Sequence, residues 1–279
     1  MSTIRRITAG HAQRRHARLE RIQEYPDQAG CEYLITPMDG SMIPIVEIDK
    51  EAKDKRKGKQ LSWKEARRCL AHERGSVPPY FAASFQESVE PAGKSLFDCA
   101  GRAGWGRQTY VHAVGDGAPW IAAQIEIQFG AQGHYLVDFY HVCEYLGNAA
   151  LSCASEEDVA VWFDKYQRKL KNGQVKEVIA ALQPHLETPK REDTKAPVRA
   201  CYRYLTNRLR QFEYPTAKHN QLPIASGEIE SAHRYIIQER LKRAGAWWSA
   251  DKATYMLSLR IVRANNQWET YWATPASVV

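Results

Sequence analysis

Residues 226–248, SGEIESAHRYIIQERLKRAGAWW, combine the two kinds of side chain that phosphodiester chemistry requires. Two carboxylates, Glu228 and Glu230, open a predicted helix that continues with a dense run of arginine and lysine. Carboxylates hold divalent metal ions, whereas guanidinium and ammonium groups hold phosphate. The segment therefore points to chemistry on nucleic acid. A solvated helix is the alternative, because the helix dipole favours acidic residues in the first turn and basic residues in the last.

Helical spacing predicts different surroundings for the two glutamates. With Ser226 as N-cap and about 100° per residue, Glu230 projects in the direction of Ile237, and Glu228 projects away from it. We therefore expect Glu230 to face the protein body and Glu228 to face solvent. An inward carboxylate requires a partner, which is either a metal ion or Arg234 near the same face.

Three aspartates and one histidine elsewhere in the chain join this candidate set. They are Asp39 in PMDGS, Asp116 in GDGAPW, and Asp138 and His141 in VDFYHV. Each has an ordinary alternative: Asp39 as a hairpin turn residue, Asp116 in a DG turn or helix cap, and Asp138 as a strand-end cap. For His141 the alternative is a packed, hydrogen-bonded side chain.

Charge and composition narrow the class of partner and the compartment. The 279 residues carry a net charge of +7, which favours nucleic acid over an acidic small molecule as the partner. The six cysteines lack zinc-finger spacing, which predicts reduced thiols and no disulfide framework. No apolar run approaches the roughly 20 residues of a membrane helix, and no secretory signal opens the chain. We expect a soluble, cytoplasmic protein without a membrane partner.

The elements that position these residues begin with a basic helix over residues 4–24. Two short strands, CEYLITPM and MIPIVEID, follow as a hairpin with Asp39 at its bend. The polar residues 49–60 predict a solvated loop, which leads into a short helix over residues 63–72.

Alternating strands and helices follow. YFAASF is the third strand, residues 93–103 form a helix, TYVHAVG is the fourth strand, and Pro119 starts the next helix. HYLVDFYHV is the fifth strand and ends near Asp138. Ser155 caps the next helix, which Gly173 stops. Further helices are predicted over residues 174–183, 197–212, 227–243 and 250–265.

This order predicts an α/β fold with a mixed sheet and an all-helical insertion before the last catalytic helix. It matches the ribonuclease H-like fold, in which the strand order is 3-2-1-4-5. The fourth strand then lies beside the first, so we expect Asp39 and Asp116 to be neighbours. Two adjacent carboxylates repel each other unless a cation lies between them.

Four ordered segments, PMDGSMIPIVE, VGDGAPWI, VDFYHV and SGEIESAHRYIIQERLKRAGAWWS, resemble the DDE transposases of bacterial insertion sequences. The similar group is the ISKra type, which is related to Mutator-like elements, and the resemblance covers about residues 32–272. It implies that Asp39, Asp116 and Glu230 are the catalytic residues and metal ligands. It implies auxiliary roles for Asp138 and His141. Asp116 is preferred to Asp138 as the second ligand, because the fifth strand lies one place further from the first.

The resemblance also implies a reaction and its partners. Two Mg²⁺ ions, or Mn²⁺, would support cleavage at the element ends and transfer of the freed 3′-hydroxyl to target DNA. We expect a homo-oligomer on DNA and association with the nucleoid. For the two tryptophans of the basic segment, packing is the alternative to stacking on a base. The predicted DNA contacts are Arg234, Arg240, Lys242, Arg243, Trp247 and Trp248.

The expected domain organisation is a basic N-terminal helix at 1–30, a ribonuclease H-like core at 31–150, a helical insertion at 151–222, and the catalytic and closing helices at 223–279. Only 38 residues precede Asp39, fewer than such transposases usually carry. Either the basic helix supplies DNA recognition, or the chain is a fragment of a longer transposase, which we expect. The alternative functions are a ribonuclease H-like nuclease without strand transfer and a catalytically inactive DNA-binding remnant.

Overall fold

The protein is an α/β structure with a mixed sheet, as the sequence predicts, and the sheet has six strands where five were predicted. A computed structural model describes residues 3–17, 27–49, 58–76, 78–85 and 88–273. The chain forms two compact units. The first consists of Met1–Val111, Ala123–His134 and Gly227–Val279, and the second of His112–Ala122 and Tyr135–Ser226.

The sheet has the strand order β2-β3-β1-β5-β6, and β4 pairs with β3 outside this path. All pairings of β3 with β1, β2 and β4 are antiparallel. The third, fourth and fifth strands of the sequence prediction correspond to β4, β5 and β6 and are confirmed. The strands are β1 (Tyr33–Ile35), β2 (Met38–Ile48), β3 (Lys59–Glu73), β4 (Tyr80–Phe85), β5 (Tyr110–Gly115) and β6 (Gly133–Val137).

β1 and β2 follow one another along the same side of β3. Ile35 pairs with His72 and Met38 pairs with Cys69, so three steps along one strand match three steps along the other. The interruption includes Pro37, which has no N–H to donate to a ladder. β1 and β2 are therefore two parts of one interrupted strand.

The predicted hairpin with Asp39 at its bend is wrong. Asp39 lies inside β2, where it pairs with Arg68, and the pairing continues without a break through Gly40 and Ser41. Asp and Gly favour turns locally, but eleven successive pairs between β2 and β3 outweigh that preference.

The helix predicted at 63–72 is replaced by the long strand β3, which also includes residues 59 and 60 of the loop predicted at 49–60. Residues 50–57 of that loop lie outside the described residues. The sequence KEARRCLA is rich in helix-forming residue types. Strand partners on both sides nevertheless hold it extended, since β2 and β4 both pair with it over residues 66–69. Tertiary pairing here overrides local propensity.

The first unit packs its helices on this sheet. Its core joins Ile43 of β2, Leu70 of β3 and Phe81 of β4 to Ile237 and Leu257 from the C-terminal helices. Gly227–His233 (α9), a π-helical segment Arg234–Gln238 and Glu239–Leu241 (α10) follow one another directly and form what we call the 227–241 helix. The other helices that belong wholly to this unit are α1 (Thr3–Ala17), α2 (Glu90–Arg102), α11 (Ala250–Ala264) and α12 (Trp268–Ala273).

The second unit is mainly helical, and residues 151–222 contain no strand, as predicted. Ser155 does not cap the following helix, because its hydroxyl donates to the Asp158 carboxylate at 2.6 Å. Pro119 begins α3 (Pro119–Phe129), which runs from the second unit into the first. The helices that belong wholly to the second unit are α4 (Phe139–Cys153), α5 (Val159–Lys171), α6 (Val175–Leu182), α7 (Pro197–Thr206) and α8 (Tyr214–His219).

Most helices lie where the sequence predicts them. The predicted helices near 93–103, 174–183 and 250–265 are confirmed with small shifts at their ends, and the helix predicted at 197–212 is confirmed but ends at Thr206. For the N-terminal helix, residues 18–26 lie outside the described part of the chain. No helix in the described ranges has both the length and the apolar character needed to cross a membrane.

Candidate functional site

Asp39 meets a buried cation on the neighbouring strand. It lies directly opposite Arg68, and opposed residues of an antiparallel pair project from the same face of the sheet. Arg68 Nη2 donates to Asp39 Oδ2 in an ion pair. Arg68 Nε donates to the backbone carbonyl of Ile229 at 3.2 Å, which ties β3 to the 227–241 helix. The Arg68 side chain is 1% exposed and that of Asp39 is 26% exposed, so the pair lies at the edge of the core.

The same guanidinium lies within electrostatic range of Glu230. Burial lowers the pKa of Arg68, whereas the negative charges of Asp39 and Glu230 raise it. A nearby opposite charge favours the charged form of a group, so both carboxylates stabilise the Arg68 cation. The first unit thus groups two of the three predicted metal ligands around one buried positive charge.

The inward orientation predicted for Glu230 is wrong, because this residue is exposed. Glu228 is exposed as predicted, with its side chain 55% accessible, and its Oε2 also lies 2.8 Å from Nε2 of the buried His72. The hydrogen bond to Glu228 raises the pKa of His72. The projection of Glu230 onto Ile237 fails because Ile237 lies within the π-helical segment Arg234–Gln238. A π turn contains one residue more than an α turn, so it rotates the residues that follow it.

Two further groups complete the surroundings of Asp39. Burial is the main cause that lowers the pKa of Lys242, followed by the charge of Arg68, while Asp39 raises it. Burial, together with Arg68 and Lys242, lowers the pKa of His233 to about 4. His233 Nε2 lies 2.9 Å from the hydroxyl of Ser41. Near neutral pH this cluster therefore contains two cations and a neutral imidazole.

The predicted DNA contacts divide into exposed and partly buried residues. Lys59 Nζ lies 4.5 Å from the centroid of the exposed Trp247 ring. Trp248 instead packs against the core, and its backbone carbonyl accepts from Val46 N at 2.8 Å. Packing is therefore correct for Trp248 and wrong for Trp247. The exposed members are Arg234, Arg243 and Trp247, and the partly buried members are Arg240, Lys242 and Trp248.

Asp116 in the second unit lies in a loop held from several sides. Its Oδ1 accepts from Ala118 N at 2.8 Å, and its backbone carbonyl accepts from the Tyr204 hydroxyl at 2.7 Å. No described residue donates to its other carboxylate oxygen, Oδ2. Gly117 has φ +87°, and a Cβ there would lie 2.5 Å from the Tyr204 hydroxyl oxygen and 2.7 Å from Arg208 Nε. The loop therefore requires glycine after Asp116 and leaves one carboxylate oxygen available to a ligand.

Asp138 is a structural residue in this arrangement. It is 3% exposed and caps α4, because Oδ1 accepts from Tyr140 N at 2.7 Å and from His141 N at 3.1 Å. Its Oδ2 accepts from the backbone N–H of Ser226 and, at 2.6 Å, from the Ser226 hydroxyl. Four hydrogen bonds occupy both oxygens, so this carboxylate fixes the residue that precedes the 227–241 helix.

His141 lies in the first turn of α4 and contacts neighbouring side chains. Its Nδ1 is 3.7 Å from Glu144 Oε2, one turn along the same helix. The ring contacts those of Tyr145 and Tyr204 at centroid distances of 5.6 and 6.0 Å. These contacts support the packed alternative for this histidine.

Arg68 is not among the site residues predicted from the sequence. It falls in the helix predicted over residues 63–72, where no pairing with Asp39 would be expected. A signal was present, since the run ARRCLA places two arginines among small and apolar residues. Charged residues are rarely buried unless they are paired, so such a run indicates a buried ion pair.

The predicted metal ligands have the chemistry that Mg²⁺ requires. All three are carboxylates, and hard oxygen ligands suit this ion. Asp39 and Glu230 belong to the first unit and Asp116 to the second. Within the described part of the chain, no three His, Cys, Asp or Glu side chains are grouped so that they could hold a metal ion. The carboxylate ligands thus suit Mg²⁺. In this structure, however, the positive charge that compensates the Asp39 carboxylate is the guanidinium of Arg68.

Comparison with models of protein families gives a match. The model of a family described as "Uncharacterised protein family (UPF0236)" matches residues 106–270, more than half of the chain. This range includes Asp116, Asp138 and Glu230 but not Asp39. None of the curated proteins and none of the solved structures compared with the chain gives a match.

Proposed function

The chain belongs to the uncharacterised protein family UPF0236, and we propose that it is a DDE-type DNA transposase. The reaction would be metal-dependent cleavage at the ends of an insertion sequence, followed by strand transfer into target DNA. One observation carries the proposal. The buried Arg68 donates both to Asp39 on strand β2 and to the backbone carbonyl of Ile229, the residue that precedes Glu230 in the 227–241 helix.

The strand order supports a ribonuclease H-like topology for this function. If β1 and β2 are counted as one interrupted strand, the order becomes β4, β3, β1/β2, β5 and β6. In the numbering of such a five-stranded sheet this is 3-2-1-4-5. The helical residues 151–222, which precede the 227–241 helix, are consistent with the proposed insertion.

In this mechanism Asp39, Asp116 and Glu230 would hold two Mg²⁺ ions. When bound there, these ions would activate an attacking water or 3′-hydroxyl and stabilise the leaving oxygen. Arg68 holds the Asp39 carboxylate in one orientation, because it is anchored to both Asp39 and the 227–241 helix. Lys242, which lies in the field of Asp39, supplies positive charge for the scissile phosphate.

A second candidate is a noncatalytic DNA-binding protein derived from a transposase. The observation in its favour is that Arg68 already compensates the charge of Asp39. Such a protein would bind DNA without Mg²⁺-dependent cleavage, and its binding would be insensitive to Glu230→Gln.

The test uses DNA from the sequence that flanks the gene, supplied as pre-cut duplex ends together with a supercoiled target plasmid. With Mg²⁺ or Mn²⁺, the wild-type protein should join ends to the target, whereas Asp39→Asn, Asp116→Asn and Glu230→Gln should each abolish joining. Glu228→Gln is the matched control, because this carboxylate lies on the same helix outside the proposed ligand set. Cleavage without joining would indicate a nuclease, and DNA binding without cleavage the noncatalytic protein. Full activity of any of the three variants would remove that residue from the site.

A further inference from the structure

A cavity of about 370 Å³ lies within the first unit, among α1, α11 and the residues that follow the 227–241 helix. This volume is in the range of about 300–1,000 Å³ that is typical of small-molecule sites. Its polar and aromatic lining includes Arg5 and Thr8 of α1, Arg240, Trp247, and Tyr255 of α11. The proposed metal ligands do not line it, so the α1–α11 cavity is separate from them.

The charge of this cavity is positive. Arg5, Arg240 and Lys252 line it, and none of its lining residues is a carboxylate. Burial is the main cause that lowers the pKa of Arg240, and the positive charges of Arg243, Arg260 and Arg5 lower it further. Cations that repel each other in this way are stabilised by an anion, so the cavity favours an anionic ligand.

An exposed aromatic ring lies in the same cavity. Trp247 is 53% exposed, although a large aromatic ring usually contributes to a core. The Arg240 guanidinium lies 5.1 Å from the centroid of the adjacent Trp248 ring, which holds that cation at the cavity wall. A planar ring next to several cations suits a ligand that carries both an aromatic base and phosphate.

A second cavity, of about 790 Å³, continues along α11. It shares Thr8, Arg240 and Met256 with the first and adds Arg263, Arg260, which is paired with Glu239, and one carboxylate, Glu269. Lys252 in the first cavity and Arg263 in the second are eleven residues apart on α11, about 16 Å along the helix, so the row of cations is longer than a single phosphate group. Such a row fits a polymer better than a free nucleotide.

We propose that the α1–α11 cavity binds one unpaired nucleotide of a DNA strand, with its base against Trp247 and its phosphates on Arg5, Arg240 and Lys252. A base inside a duplex is covered on both faces by its neighbours, so only an unpaired base reaches the tryptophan ring. The choice of DNA as the polymer rests on the proposed transposase function. The binding itself requires no metal ion.

The experiment measures binding of a fluorescein-labelled deoxythymidine oligonucleotide and of a duplex of equal length by fluorescence anisotropy in EDTA. The wild-type protein should prefer the single strand. Trp247→Leu should weaken single-strand binding about 5- to 150-fold, the effect of losing one base–aromatic stack. Trp63→Leu is the matched control, because Trp63 is 57% exposed but does not line the cavity. This variant should bind the single strand as tightly as the wild-type protein does. Trp247→Phe, which keeps an aromatic ring, should retain most of the binding.

A second pair of variants tests the phosphate contacts. Arg240→Gln should reduce the slope of log K against log salt by about 0.7, the value for one phosphate contact on a single strand. Arg14→Gln, an exposed change on α1 outside the cavity, should leave the slope unchanged. Equal single-strand binding by wild type and Trp247→Leu, or tighter binding of an oligoribonucleotide than of DNA, overturns the proposal. Single-strand binding that is retained by Asp39→Asn supports the proposal, because Asp39 does not line the cavity. If the wild-type protein proves to have no joining activity, the same result shows that binding in the cavity does not depend on the proposed metal site.

Discussion

Replacing the two members of the Asp39–Arg68 ion pair should destabilise the first unit unequally. Asp39→Asn leaves the Arg68 guanidinium, which is 1% exposed, without its ion-pair partner. Arg68→Met leaves the Asp39 carboxylate, which is 26% exposed and regains water. The uncompensated buried charge is the more costly of the two, so we expect Asp39→Asn to be the more destabilising change.

The expected magnitudes follow from the burial and the remaining contacts. Removing one partner of a buried ion pair lowers the free energy of unfolding by about 3–5 kcal/mol. For Asp39→Asn we expect about 3 kcal/mol, the lower end of this range, because the negative charge of Glu230 still stabilises the Arg68 cation. Arg68→Met should cost about 2 kcal/mol, because it also removes the donor to the Ile229 carbonyl. The double variant should cost about 2 kcal/mol, since neither charge is left unpaired. The coupling between the two changes is then about 3 kcal/mol.

The assay is urea unfolding followed by tryptophan fluorescence and analysed by linear extrapolation. Of the eight tryptophans, two (Trp120 and Trp162) belong to the second unit and the remaining six to the first, so the signal reports mainly on the first unit. Equal costs for the two single variants, or additive costs in the double variant, would contradict the assignment of a buried Arg68 paired with Asp39.

Three more predictions concern single residues. Gly117→Ala should lower the melting temperature in thermal unfolding followed by circular dichroism, because φ is +87° and the new Cβ would lie 2.5 Å from the Tyr204 hydroxyl oxygen; an unchanged value would contradict this loop geometry. Asp138→Ala should cost about 2–4 kcal/mol in urea unfolding through loss of the α4 cap and of the bonds to Ser226, whereas a cost below about 1 kcal/mol would indicate a surface residue. The folded-state pKa of His233 is about 4, below its ordinary value of 6.5, so the unfolded chain binds more protons between these values and stability should fall as pH falls from 6.5 to 4. His233→Gln should flatten this part of the stability profile, and an equal slope in both proteins would remove His233 as its cause.

The sequence predicted elements well where their signals are local. Residue type and spacing predict the strand TYVHAVG, the helix that starts at Pro119 and the helices between residues 159 and 206. The same holds for the α/β class, because strands alternate with helices through the middle of the chain. These elements carry Asp116 and Asp138, which the sequence placed correctly at the ends of strands.

The region around Asp39 could not be predicted in this way. β3 consists largely of residue types that favour helices, and it is a strand because β2 and β4 pair with it from both sides. Misassignment of β3 hid Arg68, and with it the ion pair of Asp39. The π-helical segment made the predicted direction of Glu230 wrong, because it shifts the helical phase in a way that residue spacing does not reveal.

The sequence by itself thus determined the residue types of the candidate site, the order of its carboxylates and the basic, tryptophan-containing segment after Glu230. Only the tertiary structure decided that Asp39 is paired with Arg68, that Glu228 contacts His72, and that Trp247 is exposed while Trp248 packs. The physical reason is the range of the interactions. Periodicity and capping act over a few residues, whereas the burial of a charge depends on strands and helices brought together from distant parts of the chain.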